Sequence, residues 1–292
     1  MERWLVTGSK GFLGARMAEY YGSRTKLTGA GHRDLDITDE KAVLQYFDTV
    51  RPEVVIHCAA ISDTGACERN PALSEAVNYR GTVNLAAACR ETGAKLVFMS
   101  SDQIYAGNRS GQPNVESAEY LSNVYGRHKR QAELEALTIL PETVCLRLPW
   151  MYDFPVRGMK SNSNLLCGIL KALARDEPLT LPVHDYRAIT WACEVVRNVG
   201  LAVKLPGGVY NFAGANTEST YGTALAALHA LIGNTSRDRL LIPDEGRFLD
   251  GARSLVMDTG KIRGYGIHFL ETGEGFKRCF DENPEYVNSL AR

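Results

Sequence analysis

An α/β fold, built on a doubly wound parallel sheet with a smaller interleaved C-terminal lobe, is what this sequence predicts. Two observations carry that expectation. Short apolar runs alternate with segments of helical period through about residue 150, and the unit repeats about five times. Strands that are apolar on both faces belong to parallel sheets covered by helices on both sides. The first such run also leads straight into a glycine-rich turn that opens a helix, Thr7-Gly8-Ser9-Lys10-Gly11-Phe12-Leu13-Gly14.

Each element has its own signal. Trp4-Leu5-Val6 is the first strand, and Phe12 to Tyr21 the first helix, with Phe12, Leu13, Met17 and Tyr20 or Tyr21 on one side. Lys26 to Ala30 is the second strand. A helix follows from about Asp39 to Asp48, capped by Thr38. Pro52 precedes the third strand, Val54-Val55-Ile56. Pro71 opens a long helix that reaches about Thr92 and is closed by Gly93. Leu96-Val97-Phe98-Met99 is the fourth strand. The next helix covers about Ser122 to Leu140, stopped by Pro141, and Val144-Cys145-Leu146 is the fifth strand. After Trp150 the rhythm breaks, and Pro155, Gly158 and Ser161-Asn162-Ser163-Asn164 mark an irregular connection. Leu179-Thr180-Leu181 and Val209-Tyr210-Asn211-Phe212 are two further strands. The expected division is a first domain over 1–152, completed by about 183–214, and a second lobe from 153–182 and 215–292.

Composition narrows the function. The chain has 292 residues, 45% of them hydrophobic, and a net charge of -1. Such a balance disfavours nucleic acid or an anionic membrane as partner. No apolar run approaches the roughly 20 residues needed to span a bilayer. The N-terminus Met1-Glu2-Arg3-Trp4 lacks the pattern of a signal peptide. Seven cysteines (Cys58, Cys67, Cys89, Cys145, Cys167, Cys193 and Cys279) include no C-x-x-C pair, so a disulfide framework or zinc site is not expected. No other spacing suggests a metal site, and a reducing, cytoplasmic setting fits.

The glycines of the first turn have separate tasks. One permits the tight bend, one lets the backbone approach a pyrophosphate, and one lets the helix pack on the strand. The helix N-terminus then offers free N–H groups and a positive dipole to phosphates. A carboxylate about 20 positions further on usually holds the adenosine ribose. Here the second strand ends Gly29-Ala30-Gly31-His32-Arg33. A guanidinium at that place suits the extra phosphate of NADP, so NADPH is the expected cofactor and NADH the second choice. Asp34 is the counter-signal, because it could face a ribose.

A second constellation supplies chemistry. Tyr125 and Lys129 lie four apart on one helix face. Of 13 tyrosines, only this one is followed four residues later by lysine. Ser101 sits just past the fourth strand, at the carboxyl end of the sheet, where ligands bind. Hydroxyl, phenol and ammonium make a carbonyl-reducing set. The phenol gives a proton to the oxygen as hydride reaches carbon. A neighbouring ammonium is expected to lower the phenol pKa, and the serine donates to the developing alkoxide.

With turn, serine and Tyr-x-x-x-Lys in this order, the chain resembles the extended short-chain dehydrogenase/reductase superfamily. Within it, it is most similar to the dTDP-4-dehydrorhamnose reductase family of sugar-nucleotide reductases. The likeness is carried by Leu35-Asp36-Ile37-Thr38-Asp39, by Arg51-Pro52-Glu53-Val54-Val55-Ile56-His57-Cys58-Ala59-Ala60 and by Asn78-Tyr79-Arg80-Gly81-Thr82-Val83-Asn84-Leu85. Ser100-Ser101-Asp102-Gln103-Ile104-Tyr105, Arg147-Leu148-Pro149-Trp150-Met151-Tyr152 and Met257-Asp258-Thr259-Gly260-Lys261 extend it. The resemblance implies a Rossmann-type fold and an NAD(P)H-dependent reductase of a keto group on a nucleotide-linked deoxysugar. It places Gly8, Lys10, Gly11, Phe12, Leu13, Gly14, Arg33, Asp36, Ile37, Ala59, Ala60, Met99, Tyr125 and Lys129 at the cofactor. Ser101, Asp102 and Trp150 fall at the substrate, with Ser101, Tyr125 and Lys129 as the catalytic set. His57 replaces the family's asparagine, and Asp185-Tyr186-Arg187-Ala188-Ile189-Thr190 lacks its Gly-Ser-Pro-Thr.

Two other readings stay open at this level: an epimerase with tightly held NAD, and a non-catalytic subunit that binds a dinucleotide and grips a partner enzyme. A dehydratase is disfavoured, because Gln103 stands where a glutamate base is needed. Helices near residues 71–92 and 122–140 are candidates for pairing two subunits into a homodimer. Glu133 and Glu135 read as a solvated helix face.

Overall fold

The computed structural model describes residues 1–156, 158 and 163–290. The predicted connection at Ser161 and Asn162 lies outside the described residues. A six-stranded parallel sheet organises the chain. It contains β1 (Arg3–Thr7), β2 (Lys26–Ala30), β3 (Val54–His57), β4 (Lys95–Ser101), β5 (Val144–Leu148) and β10 (Gly208–Asn211). The order is β10-β5-β4-β3-β1-β2, all parallel, so the chain reverses its direction of travel between β1 and β3. Ligand crevices of open α/β sheets form at that switch point.

Helices α1 (Phe12–Tyr21), α2 (Glu40–Val50), α5 (Gly81–Thr92) and α6 (Val124–Ile139) cover the sheet, joined by α8 (Ala192–Ala202). Trp4, Val6, Met17, Val195 and Val199 are buried on one face, and Leu5, Val55, Phe47 and Leu85 on the other. That is why β1 and β3 read as unbroken apolar runs. Asp39, not Thr38, caps α2 by accepting from Ala42 N, while Thr38 Oγ1 donates to Asp36. The long helix expected from Pro71 is α4 (Pro71–Ser74), a π-helical stretch Glu75–Arg80 and α5, closed by Gly93 at φ 74°. A short helix the sequence did not signal, α3 (Thr64–Arg69), precedes it.

A second hydrophobic core lies outside this sheet. β6 (Trp150–Tyr152) pairs with β9 (Ile189–Trp191), β7 (Leu179–Pro182) with β11 (Leu241–Asp244), and β8 (Asp185–Arg187) with β12 (Arg253–Leu255). Helices α7 (Leu165–Arg175), α9 (Thr220–Ile232), α11 (Thr272–Asp281) and α12 (Pro284–Leu290) surround them, and α10 (Gly260–Gly264) lies beside β10. Tyr152 stacks on Phe276 at 3.8 Å, and Leu166, Ile169, Trp191 and Leu228 fill the interior. A buried ion pair links α1 to the end of β6, with Arg16 Nε donating to Asp153 at 2.5 Å. Trp191 Nε1 donates to the same carboxylate at 3.1 Å. All seven cysteines are free thiols. Among the described residues, no helix is long and apolar enough to cross a membrane.

Candidate active site

The glycine turn and the loop after β3 meet at the switch point. Gly8 has φ +65°, and a Cβ there would stand 2.7 Å from the Ala59 nitrogen. A Cβ on Gly14 would stand 2.2 Å from the Gly8 carbonyl oxygen. Any other residue at either position would push turn, loop and α1 apart. Gly11 is the N-cap and offers no side-chain acceptor, and no acidic residue lies in the first turn of α1. The first N–H groups of a helix have no intrahelical partner. The turn therefore presents the backbone donors and the close approach that a pyrophosphate needs.

His57 explains its departure from asparagine. Its ring is buried, 1% exposed, and bridges Thr7 Oγ1 at 2.8 Å and Thr82 Oγ1 at 3.1 Å. Burial holds its pKa well below the ordinary value, so the ring is neutral. It ties the end of β1 to α5 beneath the turn. Asn78, on the π-helical stretch, clamps the other end of the loop. Ile61 N donates to its Oδ1 at 2.9 Å, and its Nδ2 donates to Ile61 O at 3.0 Å.

The predicted cofactor residues spread along this crevice. Ala59 is half-buried and Ala60 exposed, just past β3. Lys10 and Arg33 are exposed at the far end, where Lys10 Nζ lies 3.6 Å from Asp34. Asp36 is exposed and accepts from Thr38 N at 2.9 Å within its own loop. Ile37 is buried against Gly81 of α5, and its carbonyl accepts from Asn84. Phe12 and Leu13 begin α1, and Met99 lies on β4 with its carbonyl accepting from Lys129 Nζ at 2.8 Å.

The reactive set comes together at the carboxyl end of β4. Asn123 caps α6 by accepting from Gly126 N, and Glu68 of α3 accepts from Val124 N at 2.6 Å. These two contacts fix the first turn of α6, which carries Tyr125. The Tyr125 phenol lies near enough to Ser101 for the serine to lower its pKa. Both residues are buried, each 7% exposed.

Lys129 does not do what its spacing suggested. Its Nζ is 5.8 Å from the Tyr125 ring centre and is engaged by the Met99 carbonyl. Burial pushes the phenol pKa up, opposed by Ser101, while the Asp102 charge also raises it. Tyr125 is thus a neutral phenol that holds its proton, rather than one made acidic by the ammonium. Burial pulls Lys129 itself down to about 8, the charged form losing its hydration.

Asp102 shares its carboxylate among three donors. Gln103 Nε2 reaches Oδ1 at 3.1 Å, Ser101 Oγ reaches Oδ1 at 3.4 Å, and Arg187 of β8 reaches Oδ2 at 2.9 Å. The Arg187 guanidinium also stacks over Trp150 at 5.0 Å. Trp150, Asp102 and Arg187 so form one wall beside Ser101. Sequence reasoning named the first two and missed Arg187; a buried Asp102 with no nearby cation in sequence was the available signal.

Glu133 corrects a second expectation. It lies one turn past Lys129 on the same stripe and is fully buried, not solvated. Arg147 donates to it twice, at 2.9 Å and 2.7 Å, and Ser100 Oγ donates at 2.6 Å. Asp185 is likewise buried, paired with Arg253 at 2.7 Å.

Comparisons with known proteins place the chain in a family. The family model described as RmlD substrate binding domain matches residues 2–240. The chain is 34% identical over 233 residues to a dTDP-4-dehydrorhamnose reductase of Streptomyces griseus, covering 77% of this chain and 74% of that protein. It is 28% identical over 242 residues to a dTDP-4-keto-6-deoxy-D-glucose reductase of Streptomyces niveus, covering 82% of each. In fold it is similar to the dTDP-4-dehydrorhamnose reductase of Bacillus anthracis in complex with NADP, with a TM-score of 0.83, 22% identity, and 96% and 99% of the two chains covered. A UDP-glucose 4-epimerase of Thermotoga maritima is similar too, with a TM-score of 0.82, 20% identity and 97% and 99% coverage. The expected fold and family are therefore borne out, and the chain belongs to the dTDP-4-dehydrorhamnose reductase family.

Proposed function

We propose that the protein reduces the keto group of a dTDP-linked deoxysugar with NADPH, as the names of its relatives suggest. The observation that carries this reading is the burial of Ser101, at the carboxyl end of β4, and of Tyr125, in the first turn of α6, where the serine influences the phenol. The nicotinamide supplies a hydride when bound. Gly8, Gly11 and Gly14, with the first N–H groups of α1 at Phe12 and Leu13, would hold the pyrophosphate. Lys10 and Arg33 would serve the 2′-phosphate, Asp36 and Ile37 the adenine, and Ala59, Ala60 and Met99 the nicotinamide end.

Chemistry at the carbonyl follows from the protonation states. The neutral Tyr125 phenol donates its proton to the carbonyl oxygen as the carbon is reduced. Ser101 Oγ donates a hydrogen bond to the same oxygen, where charge develops. Lys129, fixed on Met99 O, would position the nicotinamide ribose. Trp150 and the Asp102–Arg187 pair orient the sugar. Gln103 is engaged as an amide by Asp102 and Asn123, so no base stands ready for the elimination a dehydratase needs.

The test is NADPH consumption against a panel of 4-keto sugar nucleotides. A reductase consumes NADPH stoichiometrically and releases NADP. Epimer exchange with NAD retained through purification would replace this reading with an epimerase, and tight NADPH binding with no turnover on any keto sugar would replace it with a regulatory subunit. If the protein is a homodimer, the outer faces of α4 and α6, where Leu73 and Leu134 are half exposed, are the surfaces we assign to it.

A further inference from the structure

Arg16 and Asp153, buried where α1 meets the chain leaving β6, have no task in the reduction described above. Every nitrogen of the Arg16 guanidinium is engaged. Nε donates to Asp153 Oδ2 at 2.5 Å, Nη1 to Phe12 O at 2.9 Å and Nη2 to Phe154 O at 3.1 Å. The guanidinium carbon also lies 4.1 Å from the centre of the Phe12 ring. Asp153 Oδ1 accepts from Phe154 N at 2.9 Å and from Trp191 Nε1 at 3.1 Å. Trp191 ends β9, the strand that pairs with β6. The pair therefore ties the first turn of α1 to both strands of the β6–β9 ladder. It also bridges two apolar cores, since Leu13 and Met17 of α1 pack in one, and Tyr152, Phe154 and Trp191 in the other. Apolar packing is non-directional, whereas a charged, forked set of hydrogen bonds fixes one geometry.

We infer that Arg16 and Asp153 are positioning residues for hydride transfer, which set the register between the helix that meets the dinucleotide and the strand that meets the sugar. On the reductase reading above, on which this inference depends, Phe12 opens the helix end that serves the pyrophosphate. Trp150, three residues before Asp153, stands in the sugar wall on β6. Hydride donor and acceptor are then held by separate parts of the chain, and the pair lies between them. Arg16 and Asp153 act through Phe12 and Trp150, not on the reacting atoms. A misplacement of about 1 Å can cost on the order of a hundredfold in rate. Each ligand would still keep its own contacts, so the loss falls on the chemical step and not on binding.

The test is single-turnover reduction at saturating NADPH and dTDP-4-keto sugar. Dissociation constants of NADPH and dTDP come from titration calorimetry, and stability from urea unfolding. The variants are Asp153→Asn, Arg16→Lys and the double change Arg16→Met with Asp153→Asn. Asp153→Asn keeps an acceptor for Phe154 N and Trp191 Nε1 but turns an amide donor toward Arg16. Arg16→Lys keeps the charge but loses the planar fork that serves three acceptors. Both single variants should slow reduction by about 10- to 100-fold, with both dissociation constants within about threefold of wild type. The double variant should be more stable than Asp153→Asn, because no charge is left stranded, yet remain as slow. A rate that recovers with stability, or single variants within about twofold of the wild-type rate, would overturn the inference and leave the reductase reading intact. Loss of binding by more than about tenfold for either ligand would also overturn it, since the pair would then belong to a binding site. A wild type that reduces no keto sugar would remove the reductase reading, and this inference with it. If Asp153→Asn does not fold, Arg16→Lys against the double variant decides.

Discussion

Replacing Glu133 by glutamine isolates the buried charge network behind the catalytic strand. Glu133 and Arg147 are both fully buried and joined by two hydrogen bonds. Glutamine keeps the shape and removes the charge, leaving a guanidinium in the interior with no counter-charge. Breaking one side of such a pair costs about 3–5 kcal/mol. Arg130, which also approaches Glu133 at 3.4 Å, retains Glu119 and adds little. At about 2–4 °C per kcal/mol for a chain of this class, the melting temperature should fall by roughly 6–20 °C. Scanning calorimetry and urea unfolding measure the loss. A further Arg147→Met change should return part of it, because the stranded charge is gone. The return is incomplete, since Arg147 also donates to Tyr105 Oη at 2.6 Å and to the Glu116 carbonyl at 3.0 Å. Unfolding of Glu133→Gln within about 1 kcal/mol of the wild type would refute the reasoning, because it would mean the pair is solvated in practice.

Three further outcomes are expected. Lys129 has its pKa drawn down to about 8 from 10.5, so the unfolded chain binds more protons than the folded one between those values. Stability should accordingly rise as pH climbs from about 8 toward 10.5, and Lys129→Met, measured by urea unfolding, should flatten that rise. Gly14→Ala places a methyl group 2.2 Å from the Gly8 carbonyl oxygen, so calorimetric titration should find dinucleotide binding lost and stability reduced by about 1–3 kcal/mol. Arg187→Met strands the buried Asp102 carboxylate beside Ser101, so kcat/KM for the keto sugar should fall at least about tenfold while the NADPH dissociation constant stays within about twofold.

Much of this was readable from residue order because the responsible forces are local. Glycine spacing sets the shape of one turn, and the unbroken apolar runs at Val54–Ile56 and Leu96–Met99 follow from burial on both sheet faces. Tyr125 and Lys129 share a helix face for reasons of period alone. What stayed hidden depends on contacts across the fold. Arg187 meets Asp102 from a strand 85 positions away. Glu133 looked solvated because polarity usually marks a helix's outer face, yet Arg147 on β5 compensates it from within. The phenol of Tyr125 was expected to be acidified by Lys129, but spacing along a helix does not say where an ammonium tip ends, and here the Met99 carbonyl takes it. Thr38 and Asp39 are both good caps, and only the course of the preceding loop decided between them.

The decisive measurement is single-turnover reduction of a dTDP-4-keto sugar by Tyr125→Phe, with NADPH binding followed in parallel. If the buried phenol is the proton donor, NADPH should bind within about threefold of wild type while the reduction rate falls by about 10²–10⁴. Reduction within tenfold of the wild-type rate would contradict the account, since the proton would then come from elsewhere.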